Sequence, residues 1–156
     1  MLSNSEVIGR LLLAVLLSGL VGLEREASGR AAGFRTHILV CVGSTLIMLT
    51  ALHLSELLRG VVAVDPGRFA AQVVSGIGFL GAGTIIQIRD SVKGLTTAAS
   101  LWTAAGIGLA IGSGFYVGAL ATTTLVLAVL FILSRVERGV VGSKRKPGGH
   151  QDVDIR

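Results

Sequence analysis

The chain has 156 residues, 51% of them hydrophobic and only 15% charged, with a formal net charge of +5. Its length fits one domain. The positive balance raises nucleic acid as a partner, but the basic residues keep to short connecting segments, which argues against it. Cys41 is the lone cysteine, so an intramolecular disulfide is excluded, and no His/Cys cluster accompanies it to form a metal site.

Uncharged runs cover 11–23, 36–55, 69–88 and 94–134. The hydrocarbon core of a bilayer is about 30 Å thick and a helix rises about 1.5 Å per residue, so one span needs about 20 apolar residues. The second and third runs fit one span each, and the fourth fits two, divided at the turn signal Gly112-Ser113-Gly114. The first becomes a span if Arg10 snorkels to the headgroups. An all-α, integral membrane helical bundle of five transmembrane helices follows, at about 7–23, 36–57, 68–88, 95–112 and 115–134. These helices form a domain over 1–138, and 139–156 is expected to be a basic, disordered tail. Barrel strands are excluded, because the runs are continuously apolar without alternation.

Helix 7–23 reads as a retained helix rather than a cleaved signal peptide. Glu6 and the lack of Lys or Arg before Arg10 make a poor leader, and no Ala-x-Ala site follows. The segment after it, from Gly22 to His37, alternates carboxylates and guanidinia in Glu24, Arg25 and Glu26, then Arg35 before Thr36. Exposed ion pairs contribute only about 0–1 kcal/mol each. If the segment folds back under the bundle, Glu24 and Arg35 form a buried pair that fixes the first two helices.

In helix 36–57, Cys41 reads as a small buried hydrophobe, and His53 sits near Glu56 as an interfacial pair. Asp65-Pro66-Gly67-Arg68 is a helix start, with Asp65 as N-cap and proline at the first helical position. Asp65 and Glu56 supply too few oxygens for a divalent-cation site.

Helix 68–88 carries Gly76, Gly78, Gly81 and Gly83. Gly76, Gly78 and Gly81 spell G-x-G-x-x-G, but a dinucleotide fold needs a strand before it and an acid about 20 residues later. That place holds Ala99-Ser100-Leu101-Trp102. Helix packing is the better account: Ala71, Ser75, Gly78 and Ala82 line one face with small residues, as close approach in lipid requires. Local unwinding from Gly76 to Gly83, freeing backbone groups for an ion, is an alternative. Gln72 is expected to make an interhelical contact, since its amide cannot satisfy itself within its own helix as easily as a hydroxyl.

Helix 95–112 opens with Thr96 and Thr97, whose hydroxyls, with those of Ser100 and Thr103, are expected to bond their own helix. Trp102 is either an interface anchor or a packing partner for the glycine-lined helix. Ala104, Gly108 and Gly112 form a second small stripe, and Gly114, Gly118 and Thr122 a third in helix 115–134. With five spans, the segments 24–35 and 89–94 and the tail share one face, and they hold eleven of the 14 basic residues. The positive-inside rule makes that face cytoplasmic, with the N-terminus periplasmic and the C-terminus cytoplasmic. Lys144-Arg145-Lys146 could touch anionic headgroups. No catalytic motif appears, so an enzyme is not expected and no cofactor is implied.

Three segments together are similar to the MgtC/SapB family of bacterial membrane proteins. They are Gly22-Leu23-Glu24-Arg25-Glu26 with Gly33-Phe34-Arg35-Thr36-His37, then Ala70 through Gly83, then Lys93-Gly94-Leu95-Thr96-Thr97 through Trp102. The resemblance implies a multi-pass inner-membrane protein tied to magnesium limitation. In its best-known members it implies inhibition of the F-type ATP synthase through membrane contacts, and in some pathogens survival inside host cells. Virulence does not carry over from the residues. Several members have an ACT-like C-terminal domain. This chain ends about twenty residues after its last expected helix, so regulation through such a domain is not expected. Some members have Asn where this chain has Thr96, which puts a contact made by that amide in doubt. The reading is a non-enzymatic regulator that meets the lipid bilayer, another membrane complex, or a second copy of itself as a homo-oligomer. The alternative is a small transporter or channel for a divalent cation or other small solute.

Overall fold

The structure, a computed structural model, describes residues 2–89 and 91–142, with side chains through residue 132. Its elements in order are α1 (Asn4–Ala27), α2 (Phe34–Leu57), α3 (Pro66–Gly83), β1 (Ile86–Ile88), β2 (Ser91–Lys93), α4 (Leu95–Ser113) and α5 (Tyr116–Gly142). The bundle is all-α apart from the antiparallel β1–β2 hairpin, in which Gln87 faces Val92. Residues 139–142, expected in a tail, continue α5. The tail from 143 on, with the Lys144-Arg145-Lys146 cluster, lies outside the described residues.

Local chemistry sets the helix starts. The Ser3 hydroxyl accepts from Glu6 N at the head of α1, which begins earlier than the apolar run alone suggests. Asp65 Oδ1 accepts from Gly67 N at 2.8 Å, and Pro66 follows at the first helical position of α3. Asp65→Ala should remove about 1 kcal/mol of stability, read as a lower thermal midpoint in detergent. An unchanged midpoint would show that the cap contributes nothing.

α4 touches all four other helices, and its interface with α2 is the most extensive in the bundle. The small stripe expected there is real. A Cβ on Gly112 would lie 2.6 Å from Met48 Cβ and 2.8 Å from Thr45 O. One on Gly108 would collide with the Cys41 carbonyl and come within 2.9 Å of Ser44 Cβ. Thr45 Oγ1 is within hydrogen-bond reach of both Cys41 O at 2.9 Å and Gly108 O at 3.0 Å, stitching the seam. Cys41 is fully buried beside Ala14, Leu17, Ile107, Ile111 and Ala119, as its reading as a small hydrophobe requires. The third stripe does not form a comparable seam. Gly114 makes the α4–α5 turn at φ 86, and a Cβ on Gly118 would first meet Phe115, the residue just before α5.

Outward-facing apolar residues mark the solvent as lipid. On α1, Ile8, Leu12, Leu16, Leu20 and Leu23 recur along one exposed face, an arrangement that water would penalise. α1, α2 and α4 are long and apolar enough to cross a membrane. Of the five expected spans, α3 and the described apolar part of α5 (Tyr116–Ile132) fall short of that standard among the described residues. α3 has 18 residues, begins with Pro66, Gly67 and Arg68, and carries Gln72.

The third helix differs from expectation in two ways. It stops at Gly83 instead of running to 88, and Ile86–Ile88 turns back as β1. Within it, Gly76 to Gly83 stay helical, so the unwound alternative is not what the chain adopts. Gly94 ends the hairpin at φ 91, a left-handed conformation glycine takes at no steric cost, and a Cβ there would strike the Thr84 carbonyl.

Candidate functional site

Segments from three parts of the chain meet where α1 turns into α2. Gly22 lies so close to α2 that a Cβ would sit 2.7 Å from Phe34 Cα. Glu26 Oε2 accepts from Phe34 N at 2.8 Å, satisfying one orphan donor at the start of α2. One turn on, His37 is fully buried. Its Nδ1 lies 2.9 Å from Gly33 O, and a carbonyl only accepts, so Nδ1 carries a hydrogen. Ser100 Oγ lies 3.1 Å from His37 Nε2 and 2.8 Å from Thr97 O, so its one hydroxyl hydrogen is within reach of both acceptors. The imidazole thus ties the first turn of α2 to the first turns of α4.

Arg25 completes the cluster. Only 2% exposed, it holds Glu24 with two bonds, Nε to Oε2 at 2.6 Å and Nη2 to Oε1 at 3.1 Å. Glu24 Oε1 also accepts from Ser28 Oγ at 2.9 Å. Arg25 Nη1 is buried with no hydrogen bond among the described residues. A guanidinium taken out of water with one face bidentate and one donor open is costly to hold. Chemically the arrangement is a fixed, buried charge with an open donor next to a buried imidazole whose ring nitrogens are both engaged.

This geometry corrects the pair expected between Glu24 and Arg35. Arg35 is exposed on the first turn of α2, while Arg25 is carried inward on the same helix as Glu24 and takes both its oxygens. Thr36 and Glu26 are also exposed, although Glu26 keeps its capping contact. Thr97 belongs to the cluster through its carbonyl, whereas Thr96 points outward. Trp102 is 54% exposed on the outer side of α4, so it is not tightly packed on α3. His53 is exposed, and Glu56 pairs with Arg59 at 3.0 Å instead.

Three residues of the buried polar framework carried no sequence expectation of this kind. His37 falls four residues after Gly33 and four before Cys41, a spacing that places it on the buried face, and Ser100 follows Thr97 by one turn. The third is Arg10, expected to snorkel but in fact buried. It pairs with Glu6, donates Nη1 to Gly112 O at 2.7 Å, and lies 5.6 Å above the Tyr116 ring. The exposed carbonyls at the end of α4 attract a cation there, which outweighs the pull toward the headgroups.

α3 presents three different faces. Ile77 and Gly81 are buried, and a Cβ on Gly81 would rest 3.6 Å from Ala98. The stripe of Ala71, Ser75, Gly78 and Ala82 points away from the bundle, and Gly76, Gly78 and Gly83 have open space where a Cβ would be. The expected small-residue face therefore exists but packs on nothing among the described residues. Gln72 is exposed and makes no interhelical bond among the described residues; with Arg68, Val73 and Gly76 it lines an open groove of about 850 Å³ between α2 and α3.

Buried charges at both ends of α1, hydroxyls bonded across helices and a lipid-facing exterior define a polytopic helical membrane protein. The chain belongs to the MgtC family, whose profile matches residues 11–139. It is 42% identical over 135 residues to the "Putative magnesium transporter YhiD" of Escherichia coli K12, covering 85% of this chain and 63% of that protein. It is 46% identical over 123 residues to "Protein MgtC" of Salmonella typhimurium LT2, covering 79% and 50% respectively. An uncharacterized Haemophilus influenzae protein is 38% identical over 138 residues, covering 86% and 58%. The chain thus spans half to just under two thirds of the length of these relatives. No solved structure matches it.

Proposed function

We propose that this chain is a non-enzymatic, magnesium-linked regulator in the bacterial inner membrane that lays α3 against another membrane complex, the F-type ATP synthase being the complex the family resemblance favours. The observation that carries this reading is the outward face of α3. Ala71, Ser75, Gly78 and Ala82 are exposed, and Gly78 has nothing within 4 Å of where its Cβ would be. In lipid, helices associate through close backbone approach at small residues, and this seam is complete on one side only. The link to magnesium comes from the relative described as a putative magnesium transporter. The charge distribution supports a periplasmic N-terminus and a cytoplasmic C-terminus.

In a strain lacking the chain and grown at low magnesium, ATP level and membrane potential measured together should shift, with slowed growth restored by the wild-type gene. Unchanged ATP, potential and growth would contradict regulation of an energy-coupling complex. The second reading, a divalent-cation transporter, draws on that relative's description and on the groove beside Gln72. Among the described residues, no three His, Cys, Asp or Glu side chains gather to hold a metal ion. Divalent-ion flux above background in proteoliposomes of the purified chain would favour transport over regulation.

A further inference from the structure

We infer that the α2–α3 groove is a seat for one phospholipid with an ammonium-bearing headgroup, of the phosphatidylethanolamine type. Its phosphate lies on Arg68, its ammonium on Asp65, and its acyl chains run along the groove. The lining is apolar through most of its depth, with Leu39, Ile47, Val73, Ile77 and Leu80 among its walls, and its volume is about 850 Å³. Along α3 it runs from Arg68 to Leu80, which at about 1.5 Å per residue is about 18 Å. That is close to half of a hydrocarbon core about 30 Å thick, so the groove is as deep as one leaflet.

The charged groups gather at the end of the groove where α3 begins, with Ser44 and Gln72 the polar side chains further in. Asp65 and Arg68 both line it there, and both are exposed. Arg68 makes no salt bridge among the described residues. Asp65 uses one carboxylate oxygen on Gly67 N, and its other oxygen retains acceptor capacity. The rim therefore carries one positive and one negative group. A purely anionic headgroup would satisfy Arg68 and meet repulsion at Asp65. A headgroup joining a phosphate to a primary ammonium answers both, and its N–H donors distinguish it from a quaternary choline. Gly76 lines the middle of the groove and leaves it open there, since even a Cβ at this position would have nothing within 4 Å.

The test is native mass spectrometry of the purified chain with an equimolar mixture of phosphatidylethanolamine, phosphatidylglycerol and phosphatidylcholine. Wild type should retain the ethanolamine lipid above the other two. Arg68→Gln should lower that retention about fivefold, the factor one basic contact supplies at a membrane surface. Asp65→Asn, which keeps a good helix cap, should remove the preference for ethanolamine over choline while leaving the fold intact. Gly76→Leu should reduce retention of all three lipids, and Arg59→Gln, outside the groove, should change none of them. Equal retention of the glycerol lipid, or unchanged selectivity in Arg68→Gln and Asp65→Asn, would overturn the assignment. So would a groove filled by a second copy, seen as a lipid-free dimer that Gly76→Leu dissolves.

Discussion

Gly108→Leu is expected to prevent α2 and α4 from closing. The first added carbon would collide with the Cys41 carbonyl and press on Ser44 Cβ at 2.9 Å, and neither a backbone group nor a Cβ can rotate aside. Overpacking a well-filled interface costs about 1–3 kcal/mol and occasionally more; against backbone, about 3 kcal/mol or above is expected. Because α4 touches every other helix, the loss should appear as one cooperative drop in thermal midpoint in detergent. Gly78→Leu is the counterpart, placing a larger side chain in open space with no expected loss of stability. Equal midpoints for the two variants would show that the α2–α4 seam is looser than described.

Arg25→Ala should be nearly as damaging for a different reason. The guanidinium is 2% exposed and the Glu24 side chain 12%, so removing the cation leaves a carboxylate with little access to water. Breaking a buried pair from one side costs about 3–5 kcal/mol, whereas replacing both members by uncharged residues of similar volume is often neutral. Arg25→Met combined with Glu24→Gln should therefore recover most of what Arg25→Ala loses. A double-mutant cycle on unfolding midpoints measures this. If the double variant is as unstable as the single one, Arg25 is held for a contact beyond Glu24, and its open Nη1 is the place to look.

Helix placement was legible because lipid imposes a simple rule: uncharged runs of the right length become helices, and α1, α2 and α4 follow it. The end of α3 was not legible, because Ile85-Ile86-Gln87-Ile88 is as apolar as the helix before it. A short apolar run suits helix or strand equally by periodicity, and here the left-handed Arg89 and Gly94 close a hairpin instead. Small-residue stripes were readable as stripes, but the spacing that buries Gly108 and exposes Gly78 is the same. Only the packing partner distinguishes them. The polar cluster was visible in part, since Glu24 and Arg25 stand out in an apolar chain. Its partners His37 and Ser100 are 63 residues apart in sequence, and nothing local in either segment announces the other.

The outward face of α3 is proposed to dock on an energy-coupling complex. The most direct test of that docking is ATP-driven proton pumping by an F-type ATP synthase co-reconstituted with this chain. Wild type should reduce the rate of pumping, and Gly78→Leu, which alters only the outward face, should leave pumping at the rate of the synthase alone. Pumping unaffected by the wild-type chain, or reduced equally by Gly78→Leu, would contradict it.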